Sequence, residues 1–291
     1  AQIALTGYFC DDLIADSAQV PTYLITRGAA DSSRVFLSGM GADELFLGYA
    51  GHLLTLLDQY LGRVPGQAAI RDLLAGLAQG TGRFKSARRY LYRLGKYRGL
   101  ACRFGIYSVV GDVDNAVSLV KGDRDALIEY LSGYFPVGVD PFDGLKRFEF
   151  DNVLQKNLAY TDRMAMANSV EVRVPFLDHR LVNLAYSLPR SYKLSGLGKS
   201  KRVLKDAYED ILPAYVTRRR KAGFGMPIRS IFSSRERVLG MLDMPLLAEA
   251  GSINVSSVQA VVESHVRGLE DNSSLIYALL SFQEWYKRFF T

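Results

Sequence analysis

The stretch of sequence that decides the fold reads VFLSGMGADELFLGY and spans residues 35–49. Its first three residues, Val35–Leu37, are an apolar run that stops at Ser38, which predicts a buried strand ending in a turn. We expect a helix before this strand, with Ser17 as its cap and Pro21 in its first turn. A helix, a strand and a glycine-rich turn in this order form the unit of a parallel α/β sheet. Because ligands of such sheets bind beyond the carboxyl ends of the strands, the turn is a candidate binding site.

The rest of the chain reads as almost wholly helical after Tyr49, with apolar residues recurring at helical spacing. The last such stretch, residues 274–290, predicts a strongly apolar helix. A single strand within so much helix is unusual, because a lone strand leaves its backbone groups unpaired. Either strands lie among residues 1–10, or the remainder of the sheet lies outside this chain.

The composition is that of an ordinary globular protein: 291 residues, 48% hydrophobic and 23% charged. We find no apolar run long enough for a membrane span and no basic region with an apolar stretch behind it that would form a signal peptide. Cys10 and Cys102 belong to no C-x-x-C pair, so we expect two reduced thiols in a cytoplasmic protein.

Positive charge is concentrated in two places, although the net charge is only +6. Residues 83–103 hold eight Lys or Arg and no acid, with aromatic residues between them. A second cluster runs from Lys199 through Lys205 to residues 218–221. Such clusters attract anions, including phosphates, nucleotides and nucleic acid. Nucleic-acid binding by residues 83–103 is the weaker reading, because basic helical stretches are usually solvated faces.

The turn after the strand has the residue types of a phosphate site. Gly39 and Gly41 let the backbone approach a phosphate or a ribose and direct N–H groups at it. Asp43 is placed to hold Mg²⁺, which proteins commonly bind through one or two carboxylates together with substrate phosphates. The alternative is that Asp43 only caps the helix that follows.

A second motif, DRMAMANSVEVRVPFLD, occupies residues 162–178. Asp162 with Arg163, and Glu171 with Arg173, are expected to form buried ion pairs around a corner at Pro175. Such pairs more often fix a corner than perform chemistry. The histidines His52, His179 and His265 have no metal-like spacing and are interpreted as structural.

A third motif, RRRKAGFGMP, occupies residues 218–227. Lys221 before the Gly-Phe-Gly loop is suited to reach into a phosphate site as a compact point charge. A solvated basic face at a helix end is the alternative.

Together, in this order and spacing, the three motifs resemble the synthetase domain of glutamine-hydrolysing asparagine synthetases over roughly residues 16–290. The family pattern has S-G-E-G-x-D-E-L-F-x-G-Y after a strand, then D-R-x-x-M-x-x-x-x-E-x-R-x-P-F-L-D, then a lysine before a Gly-Phe loop. The middle element matches here nearly residue for residue.

This resemblance implies an adenine-nucleotide α-hydrolase (PP-loop ATPase) type of α/β fold with a large helical elaboration. Residues 1–50 would be the C-terminal part of its parallel sheet, and residues 51–291 the mostly helical remainder of the same domain. Family enzymes use ATP and Mg²⁺ to adenylate a carboxylate, such as that of aspartate, which ammonia from glutamine then attacks.

Carried over by motif, the resemblance gives roles to residues of the first and third motifs. Ser38 and Gly39 would contact the nucleotide, with Gly41 in the same turn. Asp43 would bind Mg²⁺ and pyrophosphate, and Lys221 would stabilise charge on the transferring phosphoryl group.

Two departures from the family pattern matter. Met40 stands where the family has Glu, and a thioether cannot act as a base, which argues against plain aspartate as substrate. The pyrophosphate loop S-G-G-x-D-S and a glutaminase domain with its N-terminal cysteine are not in the sequence. We therefore expect a truncated synthetase that is inactive or very weak by itself. A catalytically dead relative that serves as an interaction or regulatory module is the alternative, and a homodimer is left open.

Overall fold

Strand β1 (Val35–Leu37) has the bounds that the sequence predicts, but its predicted burial is wrong, because Val35 and Leu37 are both exposed. The computed structural model describes residues 2–79, 113–196, 199–219 and 223–291. Within these residues the chain is mostly helical and carries a small parallel sheet that contains β1.

The partner of β1 is a second strand, β2 (Glu171–Arg173), which runs parallel to it. Val35 lies opposite the first residue of β2 and Leu37 opposite the last. The sequence did not predict β2, because two charged residues flank its single valine and the stretch reads as the approach to Pro175. Pairing with β2 gives β1 hydrogen-bond partners along one edge.

Helices fill most of the described chain before β2, including the first residues, where a strand was one of the expectations. They are α1 (Gln2–Cys10), α2 (Gln19–Ala29), α3 (Ala42–Leu45), α4 (Ala50–Leu61), α5 (Gln67–Gln79), α6 (Val113–Leu119), α7 (Arg124–Ser132), α8 (Pro141–Phe148) and α9 (Gln155–Met166). A π-helical segment, Glu149–Leu154, joins α8 to α9 without a break.

After β2 the chain makes a short 3₁₀ turn, Pro175–Leu177, and a small antiparallel pair among further helices. These elements are α10 (His179–Ser187), α11 (Arg190–Lys193), β3 (Leu194–Ser195), β4 (Lys199–Ser200), α12 (Arg202–Ala207), α13 (Ala214–Thr217), α14 (Ile228–Ile231), α15 (Arg235–Met241), α16 (Met244–Glu249), α17 (Val255–Val266) and α18 (Ser273–Phe290). The predicted apolar C-terminal helix is confirmed as α18. Among the described helices, none combines the length and the apolar character needed to cross a bilayer.

The start of α2 differs from the prediction. The helix begins at Gln19, and the residue before it, Ala18, provides no side-chain cap. Asp16, rather than Ser17, holds this end, because its Oδ1 accepts the backbone N–H of Ala18 at 3.0 Å. Pro21 lies in the first turn, as expected, where an N–H has no helical partner to lose.

Two apolar clusters hold many of the helices together. One, formed mainly by α15 to α18, includes the fully buried Phe232, Leu247 and Ile276. The other joins α1, α2 and α9 through residues such as Tyr23 and Met164. The turn after β1 is attached to this second cluster, because the partly buried side chain of Met40 packs against it.

Replacing Gly144 in α8 with alanine should lower the free energy of unfolding by about 1–3 kcal/mol. A Cβ at this position would lie 2.1 Å from the carbonyl oxygen of Tyr134 and 2.8 Å from a ring carbon of Phe135. The backbone before α8 would therefore have to move. Urea unfolding followed by far-ultraviolet circular dichroism measures the change.

Gly240 in α15 is the matched control, because a Cβ there would meet nothing within 4 Å. Gly240→Ala should raise the unfolding free energy by about 0.5–1 kcal/mol through helix propensity alone. Equal stabilisation by both substitutions would contradict the packing described for α8.

Candidate functional site

The turn that follows β1 begins as an extension of the sheet. The N–H of Ser38 donates to the carbonyl of Arg173 at 2.8 Å, so the ladder between β1 and β2 continues one residue further. The hydroxyl oxygen of Ser38 accepts the N–H of Met40 at 3.3 Å. Between them, a Cβ on Gly39 would meet nothing within 4 Å. The backbone at Gly39 therefore faces open space, as a ligand-binding turn requires.

Gly41 joins the first motif to the second. Its φ of +87° lies in the left-handed region that glycine adopts without steric cost. A Cβ at Gly41 would also lie 2.4 Å from Cδ2 of Leu177. Any side chain here would push the turn away from the 3₁₀ turn that follows β2. Gly41 thus allows the close contact of the two motifs, while Gly39 provides the opening toward solvent.

Asp43 lies in the first turn of α3, and its carboxylate is paired with a cation that the sequence analysis gave no role. The Nζ of Lys201 lies 2.9 Å from Oδ1 of Asp43, and both side chains are about a quarter exposed (28% and 26%). An ion pair of this exposure contributes only about 0.2–1 kcal/mol to stability. The pair therefore adds little to the stability of the fold.

The backbone also holds Lys201 against this turn. Its N–H donates to the carbonyl of Phe46 at 3.2 Å, and its φ of +54° is unusual for a residue with a side chain. The only sequence signal for Lys201 was its place in the basic cluster that begins at Lys199. Nothing in the sequence of that cluster distinguishes Lys201 from its basic neighbours.

The absence of a side chain at Gly48 provides the space that the Asp43–Lys201 ion pair occupies. A Cβ on Gly48 would lie 1.8 Å from Oδ1 of Asp43 and 2.4 Å from Cε of Lys201. An alanine at this position would displace both charged side chains. The glycine is therefore required by the site, and its N–H also donates to the carbonyl of Asp43 at 2.8 Å.

A carboxylate, an ammonium group and an exposed backbone turn form a set that suits a polyphosphate with its metal ion. In the described part of the chain, no cluster of three or more metal-ligating side chains occurs. A divalent ion at Asp43 would have to take its other ligands from phosphate oxygens and water, which is the usual arrangement for Mg²⁺. The residues present thus fit Mg²⁺ bound together with a nucleotide.

The second motif forms one of its two predicted ion pairs, but not in the predicted setting. Nε of Arg173 lies 2.8 Å from Oε1 of Glu171, yet both side chains are more than half exposed. Their burial was predicted wrongly, because β2 lies at the surface. The neighbouring Arg173 guanidinium lowers the pKa of Glu171 below its usual range. Arg163 donates to the backbone carbonyl of Cys10 and thereby ties α9 to α1, while Asp162 is exposed.

The end of the second motif has a local structural role. Oδ1 of Asp178 accepts the N–H of Arg180 at 2.9 Å at the start of α10, and the Arg180 guanidinium contacts both carboxylate oxygens. These hydrogen bonds hold the pKa of Asp178 far below its usual value. Asp178 therefore fixes the corner after Leu177, which in turn packs at Gly41.

The third motif is described only in part. Lys221 and its neighbours 220 and 222 lie outside the described residues, so its role as a phosphate clamp stays a prediction. The same holds for the basic stretch 83–103. Gly225, on the far side of Lys221, lies beside the loop before α2, because a Cβ on it would be 3.3 Å from Oγ of Ser17.

Comparison with known proteins identifies relatives along nearly the whole chain. The family model described as asparagine synthase matches residues 1–287. Asparagine synthetase (glutamine-hydrolyzing) 1 of Bacillus subtilis is 29% identical over 284 residues, covering 95% of this chain and 44% of that protein. A Mycobacterium tuberculosis protein, named provisionally as a glutamine-hydrolyzing asparagine synthetase, is 29% identical over 306 residues, covering 97% of this chain and 43% of that protein. The chain spans less than half the length of these relatives.

A shorter region is more similar. Asparagine synthetase (glutamine-hydrolyzing) 3 of Bacillus subtilis is 43% identical to this chain over 63 residues. These residues make up 22% of this chain and 10% of that protein.

The two turn glycines should respond oppositely to alanine. Gly41→Ala should lower the free energy of unfolding by at least about 1–2 kcal/mol, the cost of a side chain in the left-handed region. Gly39→Ala should leave it unchanged, because its Cβ would point into open space. Urea unfolding of both variants beside the unaltered protein tests this. A loss at Gly39 as large as that at Gly41 would show that the turn is not open there.

Proposed function

Because this chain belongs to the asparagine synthase family, we propose that it is the ATP-using part of a ligase that converts a carboxylate into an amide. The family match over residues 1–287 supports a ligase of this type. The three relatives described above carry glutamine hydrolysis in their names, and we extend that ammonia source to the whole protein as part of the proposal. The small parallel sheet is, in this proposal, a portion of an adenine-nucleotide α-hydrolase type of fold.

The observation that carries this proposal is the Asp43–Lys201 pair at the carboxyl end of β1. The pair places a carboxylate, a possible metal ligand, and an ammonium group suited to phosphate beside an open backbone turn. Carboxyl ends of parallel strands are where ligands bind in such sheets. When a nucleotide binds with Mg²⁺, the Asp43 carboxylate would bind the metal ion instead of Lys201. The Lys201 ammonium would then bind a phosphate instead of Asp43.

The reaction has two steps. A carboxylate oxygen of the substrate attacks the α-phosphorus of ATP, and the bond to pyrophosphate breaks to leave an acyl-adenylate. The nitrogen of ammonia then attacks the acyl carbon, the bond to AMP breaks, and the surplus proton passes to solvent. When bound, Mg²⁺ would neutralise charge on the departing pyrophosphate.

Each residue of the site has a separate task in this scheme. Asp43 would hold the metal ion against the pyrophosphate oxygens. Lys201, and Lys221 as predicted from the third motif, would meet negative charge on the phosphates in a fixed arrangement. Ser38 and the open backbone at Gly39 would contact the AMP portion.

We propose that this site is completed by a phosphate-binding loop from outside the chain. Parallel sheets normally have both faces covered and several strands, yet no third strand joins β1 and β2 in the described residues. Leu37 is 75% exposed and Ile25 of the preceding helix 57% exposed. Such apolar exposure beside an unpaired strand edge suits the addition of further strands. The loop S-G-G-x-D-S would then follow a neighbouring strand.

The substrate carboxylate is proposed to differ from plain aspartate. Met40 lies in the turn, next to Gly39, and packs against the apolar cluster that contains Tyr160 and Met164. Burial raises the pKa of the Tyr160 hydroxyl, so this neighbour of Met40 stays protonated. Met40 in place of the family glutamate also favours the second candidate function, a catalytically dead relative with a regulatory role.

Binding of MgATP should depend on Asp43 and on sequence upstream of residue 1. By isothermal titration, this chain should bind MgATP at least about tenfold more weakly than a version extended upstream, since each missing charge-assisted hydrogen bond costs about 1.5–3 kcal/mol. Asp43→Asn in the extended version should remove the dependence on Mg²⁺. Full-strength binding by the short chain would show that its phosphate site is complete.

The glycine that makes room for the ion pair provides a second test. Gly48→Ala in the extended version should weaken MgATP binding by about tenfold or more, because both charged side chains lose their positions. Gly240→Ala, far from the site in sequence and open in space, is the control. An unaffected affinity in Gly48→Ala would separate the Asp43–Lys201 pair from nucleotide binding.

Pyrophosphate release with a panel of carboxylates separates the two candidate functions. The extended protein should release pyrophosphate with some carboxylate other than aspartate. Absence of turnover with every member of the panel, despite MgATP binding, would favour the regulatory module.

A further inference from the structure

The turn from Phe46 to Tyr49 holds both members of the ion pair in place. At its start, the carbonyl of Phe46 accepts the backbone N–H of Lys201. In its middle, the N–H of Gly48 donates to the carbonyl of Asp43, and its Cα lies against the carboxylate. A displacement of this turn would therefore move Asp43 and Lys201 relative to each other.

The far end of the turn is fixed by buried polar groups rather than by apolar packing alone. The Tyr49 hydroxyl donates to Oε1 of Glu44 at 2.5 Å, and Glu44 is only 5% exposed. Burial, reinforced by the negative charge of Glu44, raises the pKa of Tyr49 so that it remains a donor. The Tyr49 backbone N–H donates to Nδ1 of His52 at 3.0 Å.

His52 connects this turn to Glu149. Because Nδ1 of the ring accepts this hydrogen bond, Nε2 is the ring nitrogen that can donate. Nε2 lies 2.9 Å from Oε2 of Glu149 and donates to it. The two side chains are 0% and 2% exposed, so water cannot replace either partner.

The position of Glu149 in the backbone is itself unusual. Glu149 begins the π-helical segment between α8 and α9, where the chain turns with a wider period than in the helices on either side. Such segments are rare and are frequently found at functional sites. An apolar residue facing α4 would satisfy packing without a buried carboxylate, whose desolvation is costly unless it is hydrogen-bonded.

We propose that Glu149 is a positioning residue for the candidate site, acting through His52 and the turn Phe46–Tyr49 on the Asp43–Lys201 pair. The structural part of this inference stands on the hydrogen bonds above, and its meaning for catalysis rests on the proposed function. The hydrogen-bonded connection starts at Glu149. Its carboxylate fixes the histidine, the histidine fixes the backbone of Tyr49, and the turn fixes the pair.

The test uses acetylation of lysine amines in this chain, resolved by residue with mass spectrometry. Glu149→Leu should raise the acetylation rate of Lys201 by about two- to fivefold, the range expected when a partly exposed ion pair is lost. The Asp43→Asn variant gives the reference acetylation rate of Lys201 without its carboxylate partner. Glu149→Gln should keep the original rate, because its side-chain oxygen still accepts from His52.

Two other lysines report whether the effect is local. Lys193 is only 2% exposed, so its acetylation rises only if the fold opens. Lys156, paired with Asp16 at 2.5 Å, shows whether ion pairs loosen generally. Both should be unchanged in Glu149→Leu, and Glu129→Leu, the same exchange at an exposed carboxylate of α7, should change none of the three rates.

If Glu149→Leu unfolds the protein, the His52→Asn variant tests the proposed connection instead. Asparagine keeps an acceptor near the Nδ1 position but is too short to reach Glu149, so the rate at Lys201 should still rise. An unchanged Lys201 rate in a folded Glu149→Leu or His52→Asn protein overturns the proposal, as does an equal rise in Glu149→Gln. Because no nucleotide is used, failure of the protein to bind MgATP would refute the proposed function and leave this inference intact.

Discussion

The candidate site depends on the parallel pairing of β1 with β2. That pairing brings together two motifs that are far apart in sequence, since the N–H of Ser38 bonds to the last residue of β2. The chain then leaves β2 through Leu177, whose side chain fills the space beside Gly41. The turn that carries Asp43 is therefore held between the sheet on one side and the corner after β2 on the other. Without the pairing, neither contact would form.

Much of this arrangement could be predicted from the sequence. The apolar run Val35–Leu37 ending in glycines indicated the strand and the turn, because both depend on local pattern and backbone freedom. Strand β2 could not be predicted in this way, since a surface strand of three residues with two charges has no period to detect. The expectation of buried ion pairs in the second motif failed for the same reason, because burial depends on what covers a strand.

The cation of the site was the other feature that sequence reasoning missed. Lys201 stands among several basic residues, and the hydrogen bond from its backbone to Phe46 holds it beside the turn where its side chain meets Asp43. Such a contact joins segments that are remote in sequence, so it cannot be predicted from local secondary-structure propensities. The same is true of His52 and Glu149, which the sequence presents as an isolated histidine and one more acid in a helix. The family resemblance carried the general function, whereas the particular pairings came from the fold.

The most direct test is a crystal structure of the upstream-extended protein with Mg²⁺ and a non-hydrolysable ATP analogue. A metal ion should lie about 2.0–2.1 Å from a carboxylate oxygen of Asp43, and the Lys201 ammonium should have moved from that carboxylate to a phosphate oxygen. An intact Asp43–Lys201 pair, with the nucleotide bound elsewhere on the molecule, would contradict the assignment of the site.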